Sequence, residues 1–562
     1  MLGRRMHHAG PWLLLALLLY PVLACATAER GREETPQYDV IVRGGTVYDG
    51  SGGPGRVADV AISGDRIAAI GDLSEVRGKQ EIPAQGLAVA PGFINMLSWA
   101  DEPLLIDPRS LSDISQGVTL EVFGEGWSMG PLSEAMKEAR RRDEKEAGWQ
   151  VAWTTLGEYL AYLEQRGVSP NVASFVGATT LRIHVIGYDD RPATPEELVR
   201  MQELARQAMH EGAMGVASSL PYTPAVYAST EELIALARVA AESGGMYISH
   251  IRNEGDRVFE GLDEFLRIVR ESGARGEIYH LKVSGKENWG KLPELIHRIE
   301  AARAEGLAVT ANLYPYPASG TGLAIVFPPW VQEGGHDAFV ARLKDPQIRR
   351  RLVAEMDMIP PEDILLVSFR NPALRPLTGR TLASVANERG TSAEETAMDL
   401  IIEDNSRVGT VRFTMSEENV AREIALPWVS FGSDAGSIAP EPPFTDAQPH
   451  PRAYGTFARV LGRYVREEKR ISLAEAVRRL AALPAANLRL DHRGQLQPGY
   501  FADVVVFDPA TITDHATFEK PHQLATGVQA VLVNGVPVLL DGHHTGAHPG
   551  RFVKGPGWRP GP

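Results

Sequence analysis

From residue 92 to residue 433 the chain alternates short apolar runs with amphipathic helical stretches, and this alternation limits its fold more than any other feature. The runs lie at 92–97, 118–123, 172–176, 214–220, 246–251, 278–283, 308–313 and 428–433, eight in all. Such near-continuous apolar strands do not show the period-two pattern of a half-solvated sheet. They fit parallel strands buried on both faces under helices. Helix starts are marked at Thr194-Pro195-Glu196-Glu197, Ser229-Thr230-Glu231-Glu232 and Ser472-Leu473-Ala474-Glu475, each with capping-box spacing. Eight strand–helix units predict an α/β fold, a (β/α)8 barrel of the TIM type. In such a barrel the chemistry gathers at the C-terminal ends of the strands.

Two regions depart from that rhythm. More than a hundred residues separate the seventh strand from the eighth, and within them 320–329 is rich in Gly, Pro and apolar residues. This predicts a lid-like insertion at about 318–410. Outside the barrel, assigned to 91–489, the runs 38–48, 60–62 and 66–70 are glycine-punctuated and β-rich, as are 502–507 and 528–535. Such runs read as hairpins of an antiparallel sheet. Residues 38–90 and 490–555 are therefore expected to form one small β-sandwich domain from both ends of the chain.

Residues 1–28 read as an export signal, with Arg4 and Arg5 ahead of the apolar stretch 12–19, which is too short for a comfortable membrane span. Two processing routes are open. Val22-Leu23-Ala24-Cys25 fits a bacterial lipobox that would make Cys25 a lipid anchor, whereas Ala26-Thr27-Ala28 offers a small-x-small cleavage site. Both place the mature protein outside the cytoplasm, in the periplasm or as an outer-membrane lipoprotein. Cys25 is the single cysteine of 562 residues, so disulfides contribute nothing to stability. The formal charge of −14, with no Lys/Arg cluster, argues against a nucleic-acid partner. Oligomeric state is not legible at this level.

His250 and His280 end the fifth and sixth predicted strands, one βα unit apart. Adjacent parallel strands lie roughly 4.8 Å apart, which brings both imidazoles to one rim at a spacing that suits two ligands of one metal. A lone strand-end histidine is more often a hydrogen-bonded rim residue, but two at matching positions favour a metal role. His543, His544 and His548 also cluster, yet the neighbouring glycines 542, 546 and 550 read as a surface loop. Asp434 follows the last strand, where a carboxylate can serve as general base to a metal-activated water or can merely cap a turn.

Together these features resemble the amidohydrolase superfamily, in its D-aminoacylase (N-acyl-D-amino-acid deacylase) branch. The resemblance runs from Tyr38 to the C-terminus. It is carried by Ala90-Pro-Gly-Phe-Ile94, Tyr222-Thr-Pro, Tyr227-Ala-Ser-Thr-Glu-Glu-Leu233, Ser249-His-Ile-Arg-Asn-Glu254, His280-Leu-Lys282 with Asn288-Trp-Gly290, Tyr314-Pro-Tyr316, Ser433-Asp434, His450-Pro-Arg452 with Gly455-Thr-Phe457, and Ala502-Asp-Val-Val-Val-Phe-Asp508. It implies a barrel with a split β domain, zinc-dependent hydrolysis of N-acyl-D-amino acids, and an insertion that closes over a small-molecule substrate. It also implies that His250 and His280 hold the tighter metal, that Asp434 is the catalytic aspartate, and that Tyr222, Lys282 and Arg452 bind the substrate α-carboxylate.

The chain departs from the family at three places. Leu97 and Trp99 stand where the family has a first-strand His-x-His pair, so one zinc ion per chain is expected rather than two. Glu125 stands near the family's metal-binding cysteine, and with His250 and His280 it completes a three-ligand site. Ala178 occupies the position of an expected histidine. The expected function is then a metal-dependent hydrolase cleaving the amide bond of N-acyl amino acids. Two other readings compete with it. One is a barrel that lost its metal and binds a ligand or partner. The other is a serine hydrolase built on Gly126-Trp127-Ser128-Met129-Gly130, with Asp434 and His450 following in the order Ser, Asp, His.

Overall fold

A computed structural model describes residues 37–560, apart from Gly148 and the side chains of 142–148. The signal-region reading of 1–28, Cys25 included, lies outside the described residues.

The barrel is assembled from two parallel sheets that share its third strand. Phe93–Asn95, Val118–Phe123 and Asn171–Ser174 form one. Val176–Gly177, Gly215–Ser219, Met246–His250, Arg275–Ile278, Val309–Leu313 and Val429–Phe431 form the other. The third strand breaks at Phe175, whose N–H still bonds the Phe123 carbonyl at 2.9 Å. Closure between eighth and first strands comes from the Met96 N–H on the Phe431 carbonyl (3.3 Å) and the Asp434 N–H on the Leu97 carbonyl (2.8 Å). All six residues of Val118–Phe123 are buried, as a strand covered on both faces requires. Ile94, Leu120, Val122, Phe175, Ala217 and Ile248 fill the barrel interior, while Phe123, Leu160, Leu204, Leu236, Phe265 and Ile299 belong to the larger core under the helices. The fold class read from the alternation is thus the one observed.

Helix starts follow the capping logic in part. Thr194 and Glu197 form the complete reciprocal box, with Pro195 in the first turn. Ser229 and Ser472 accept only the forward bond, from the Glu232 and Glu475 N–H groups. The sixth strand departs from expectation: it is Arg275–Ile278, not 278–283, and His280 lies two residues beyond it on a turn. Arg275, Gly276 and Glu277 lack the apolar signal that marks a buried strand, and Leu281 and Val283 are buried without being sheet residues.

The β domain is a single nine-stranded sheet. The expected antiparallel hairpins form, Arg56–Ser63 with Arg66–Gly71 and Val528–Val533 with Val536–Leu540, but Tyr38–Val47 also pairs parallel with Gly78–Pro83 and Ala88–Pro91, so the sheet is mixed. Ala88–Pro91 then pairs antiparallel with Val504–Phe507, which joins the two ends of the chain. His543–His544 is a short edge strand rather than a loop. His544 and His548 both reach the Ser169 hydroxyl (2.9 and 3.0 Å), fastening this region to the barrel. The following tail is stitched into the third strand, with the Val172 N–H on the Arg551 carbonyl and the Val553 N–H on the Val172 carbonyl, both 2.9 Å.

The insertion carries its own three-stranded antiparallel sheet, Ser319–Gly322 and Ile364–Ser368 flanking Gly409–Arg412. It also has its own core, including Leu323, Phe327, Leu366, Leu382 and Leu400. It is a packed unit rather than a loop.

Candidate metal centre

Three strand ends deliver the central residues. Glu125 follows the second strand between Gly124 and Gly126, both at positive φ; a Cβ on Gly124 would lie 2.4 Å from the Phe175 carbonyl oxygen and one on Gly126 2.7 Å from Ser219. Only glycine fits this close approach, and the tight turn aims Glu125 into the barrel mouth. His250 is the last residue of the fifth strand. His280 has φ of +36° and Asp434 +49°, left-handed conformations that non-glycine residues hold only when neighbours impose them. For His280 the neighbour is Asn312, whose Oδ1 accepts its N–H at 2.9 Å; for Asp434 it is the Leu97 carbonyl.

Glu125 Oε1 lies 3.1 Å from His250 Nδ1 and 3.1 Å from His280 Nε2. The three ligand atoms all fall within 4.8 Å of one another, and among the described residues this is the one such group of three. All three side chains are buried. One carboxylate oxygen and two imidazole nitrogens are a donor set that fits zinc and leaves a coordination position open.

Glu254 was not singled out as a site residue from the sequence, yet it braces both histidines from behind. Its Oε2 is 3.3 Å from His250 Nε2, its Oε1 3.1 Å from His280 Nδ1, and Lys282 Nζ reaches the same Oε1 at 2.7 Å. Burial by itself would raise the Glu254 carboxyl, but His250, Lys282 and His280 hold it well below the usual carboxylate range. Glu125 is likewise held low by the two histidines against the effect of burial. Burial opposes the charged form of His250, yet Glu254 and Glu125 push it up to about 9. Two carboxylates are thus balanced by Lys282 and the proton on His250, and a metal ion would take the place of that proton.

Asp434 faces the same mouth. Its Oδ2 is 2.8 Å from Arg452 Nη1, and the Trp99 indole N–H donates to its Oδ1 at 3.1 Å. Burial raises the Asp434 carboxyl above its ordinary value, partly offset by Arg452. Arg452 stacks 4.3 Å over the Tyr314 ring, and its Nε is buried without a partner, so donor capacity remains. Tyr222 packs edge-on against His250 with ring centres 5.5 Å apart, and its hydroxyl is 2.9 Å from that of Thr321 on the insertion. Burial and then Glu125 push the Tyr222 hydroxyl up to about 12, so it stays a donor.

The serine triad does not assemble. Ser128 Oγ donates to the Gly130 carbonyl at 2.6 Å and accepts from the Gly177 N–H at 3.0 Å. His450 is held by backbone on both sides: Nε2 meets the Ala318 carbonyl (2.9 Å) and Nδ1 accepts the Arg452 N–H (3.0 Å). The five-residue match is a tight turn, not a nucleophile elbow.

D-aminoacylase of Alcaligenes xylosoxydans xylosoxydans is 38% identical to this chain over 523 residues, spanning 93% of the chain and 99% of that relative. The chain belongs to the amidohydrolase family, in its D-aminoacylase branch. The amidohydrolase family model itself matches residues 369–539. N-acyl-D-aspartate deacylase of the same organism is 35% identical, covering 93% of the chain and 96% of its own length. The crystal structure of N-acyl-D-glutamate deacylase from Bordetella bronchiseptica, complexed with zinc and a phosphonate mimic of the tetrahedral intermediate, superposes with a TM-score of 0.78 at 33% identity, covering 92% of this chain and 99% of that one. Within the branch, this amidohydrolase has Leu97 buried in the barrel interior and turns Trp99 onto Asp434, where the family resemblance implies two metal-binding histidines.

Proposed function

We propose that this amidohydrolase hydrolyses the amide bond of N-acyl-D-amino acids, using one zinc ion held by Glu125, His250 and His280. The convergence of those three ligand atoms beside Asp434 carries the proposal. When bound, the metal supplies Lewis-acid polarisation of the amide carbonyl and lowers the pKa of water. Asp434 then takes the proton from the attacking water and returns it to the leaving nitrogen, with Arg452 and the Trp99 indole fixing its two oxygens. Lys282, Arg452 and the Tyr222 hydroxyl grip the substrate α-carboxylate and so fix the chiral centre relative to the base. Because Glu254 and Asp434 already engage Lys282 and Arg452, those two cations arrive oriented. Leu97 and Trp99 favour one ion rather than two.

The test is metal analysis of purified protein followed by a screen of N-acyl-D- and N-acyl-L-amino acids. About one zinc per chain, hydrolysis of D substrates, and loss of turnover in Asp434→Asn and His250→Asn support the reading. Full activity of chelated, metal-free protein, or unchanged turnover in both variants, removes it. A loaded enzyme inert to every N-acyl amino acid favours a ligand-binding barrel instead. We also propose that residues 1–28 direct export, with Cys25 as a lipid anchor. Labelling by radioactive palmitate in wild type, absent in Cys25→Ala, tests this.

A further inference from the structure

One half-buried cation on the insertion, its Nε wholly buried, has no anion of its own. Arg412 ends the central strand of the insertion, with Ser319 opposite it on one side and Ile364 on the other. Residues directly opposite in an antiparallel pair share a face, so Arg412 and Thr410 lie on the same face as Ser319 and Thr321. Thr321 is the residue whose hydroxyl meets that of Tyr222. Arg412 Nε is buried and without a hydrogen-bond partner, and among the described residues its guanidinium makes no ion pair. Two groups act on it electrostatically: Asp357, which stays outside ion-pair distance, and the Tyr222 hydroxyl. Arg407 also acts on the Tyr222 hydroxyl, and its Nε lies against Gly322, 2.6 Å from where a Cβ would be. The Tyr222 hydroxyl thus feels Glu125 and Asp434 of the barrel as well as Arg407 and Arg412 of the insertion.

The cations expected at the α-carboxylate are arranged differently. Lys282 has Glu254 and Arg452 has Asp434. Gly320, on the opposite face of the same edge strand, abuts Arg452 rather than Arg412. A desolvated guanidinium without a counter-ion is costly to bury, and a ligand anion that completes it gains a strong, directional contact. Burial already lowers the Arg412 pKa, in keeping with that missing anion.

We infer that Arg412 forms a second carboxylate subsite beside Tyr222, which takes the side chain of an N-acyl-D-aspartate or N-acyl-D-glutamate. This rests on the deacylase reading and narrows its substrate class. A dicarboxylic acyl group would present the same chemistry from the other side of the scissile bond, and the assay separates the two sources.

The experiment compares kcat/KM of the zinc-loaded enzyme for N-acetyl-D-glutamate, N-acetyl-D-aspartate, N-acetyl-D-methionine and N-succinyl-D-methionine, in wild type, Arg412→Met and Arg412→Lys. The expected result is a wild-type preference for an acidic side chain over methionine and a fall of roughly 30-fold or more in the acidic-to-neutral ratio in Arg412→Met, with partial recovery in Arg412→Lys. A wild type that prefers N-acetyl-D-methionine, a ratio unchanged in Arg412→Met, or a loss confined to the succinyl substrate overturns the assignment. If no N-acyl amino acid is hydrolysed, the deacylase reading fails on its own. The subsite is then judged by calorimetric binding of glutarate: weakening in Arg412→Met and return in Arg412→Lys sustain it, and equal binding by all three proteins ends it.

Discussion

Glu254 touches neither the proposed carbonyl nor the water, yet it is hydrogen-bonding distance from the outer nitrogen of both histidine ligands. A ligand imidazole whose remote N–H is anchored keeps one tautomer and one ring plane, and loss of such an anchor typically weakens metal binding 10–100-fold. Glu254→Gln keeps the shape and removes the charge, so competition against a chelator should reveal zinc affinity lowered by about that factor. Asp434 leads to a prediction about pH. A general base must be ionised, and burial raises this carboxyl above the ordinary 3.8, so kcat/KM should fall as pH drops through an apparent pKa higher than that. Trp99 donates to the ionised form and thereby favours it. In Trp99→Phe the acid limb should move to higher pH, read from a pH–rate profile. His250, His280 and Asp434 were legible because each stands at or within three residues of the C-terminal end of a barrel strand, although the sixth strand itself was placed too far along the chain. Glu125 was legible only once a cysteine was looked for and a carboxylate found. Glu254, Trp99 and Arg412 were not, because each takes its meaning from a partner on another strand or on the insertion.

At the level of elements, the insertion shapes the pocket as much as the barrel does. Its first strand supplies Thr321 to Tyr222 and brings Gly320 up to Arg452, where a Cβ would lie 3.2 Å from Nη2. Gly320→Val should push that guanidinium off its position over Tyr314. Steady-state kinetics should then show KM raised several-fold, with a smaller change in kcat. The length of the gap between seventh and eighth strands announced the insertion, and its Gly/Pro content pointed to a lid. Its three-stranded sheet was missed because the strands are short and pair across intervening helices. The same weakness of local signal misplaced the sixth strand: Glu277 reads as a surface residue, but it is buried between Asn312, Thr310 and Asn487, which all donate to it.

At the scale of the whole molecule, metal and tail bear on stability by separate routes. A ligand that binds only the native state stabilises it by RT ln(1 + [L]/Kd), so removal of zinc should lower Tm in proportion to its affinity and re-addition should restore it. The tail acts through backbone pairing. The Gly550 N–H bonds the Val168 carbonyl, and a Cβ on Gly550 would lie 1.9 Å from the Pro170 oxygen. Gly550→Val should therefore lower Tm by about 5 °C or more in thermal unfolding while leaving the metal stoichiometry of the folded fraction unchanged.

The pairing of Ala88–Pro91 with Val504–Phe507 sets an order on synthesis. A ribosome adding about 5–20 residues per second makes the first half of that sheet some tens of seconds before the second. Throughout that interval the Ala88–Pro91 edge stays unpaired, and the third barrel strand likewise waits for Val553, which emerges later still. That edge is open to pairing with other chains until residues 504–507 emerge. A fragment cut short anywhere before residue 504 is expected to expose a sticky edge rather than a smaller working enzyme.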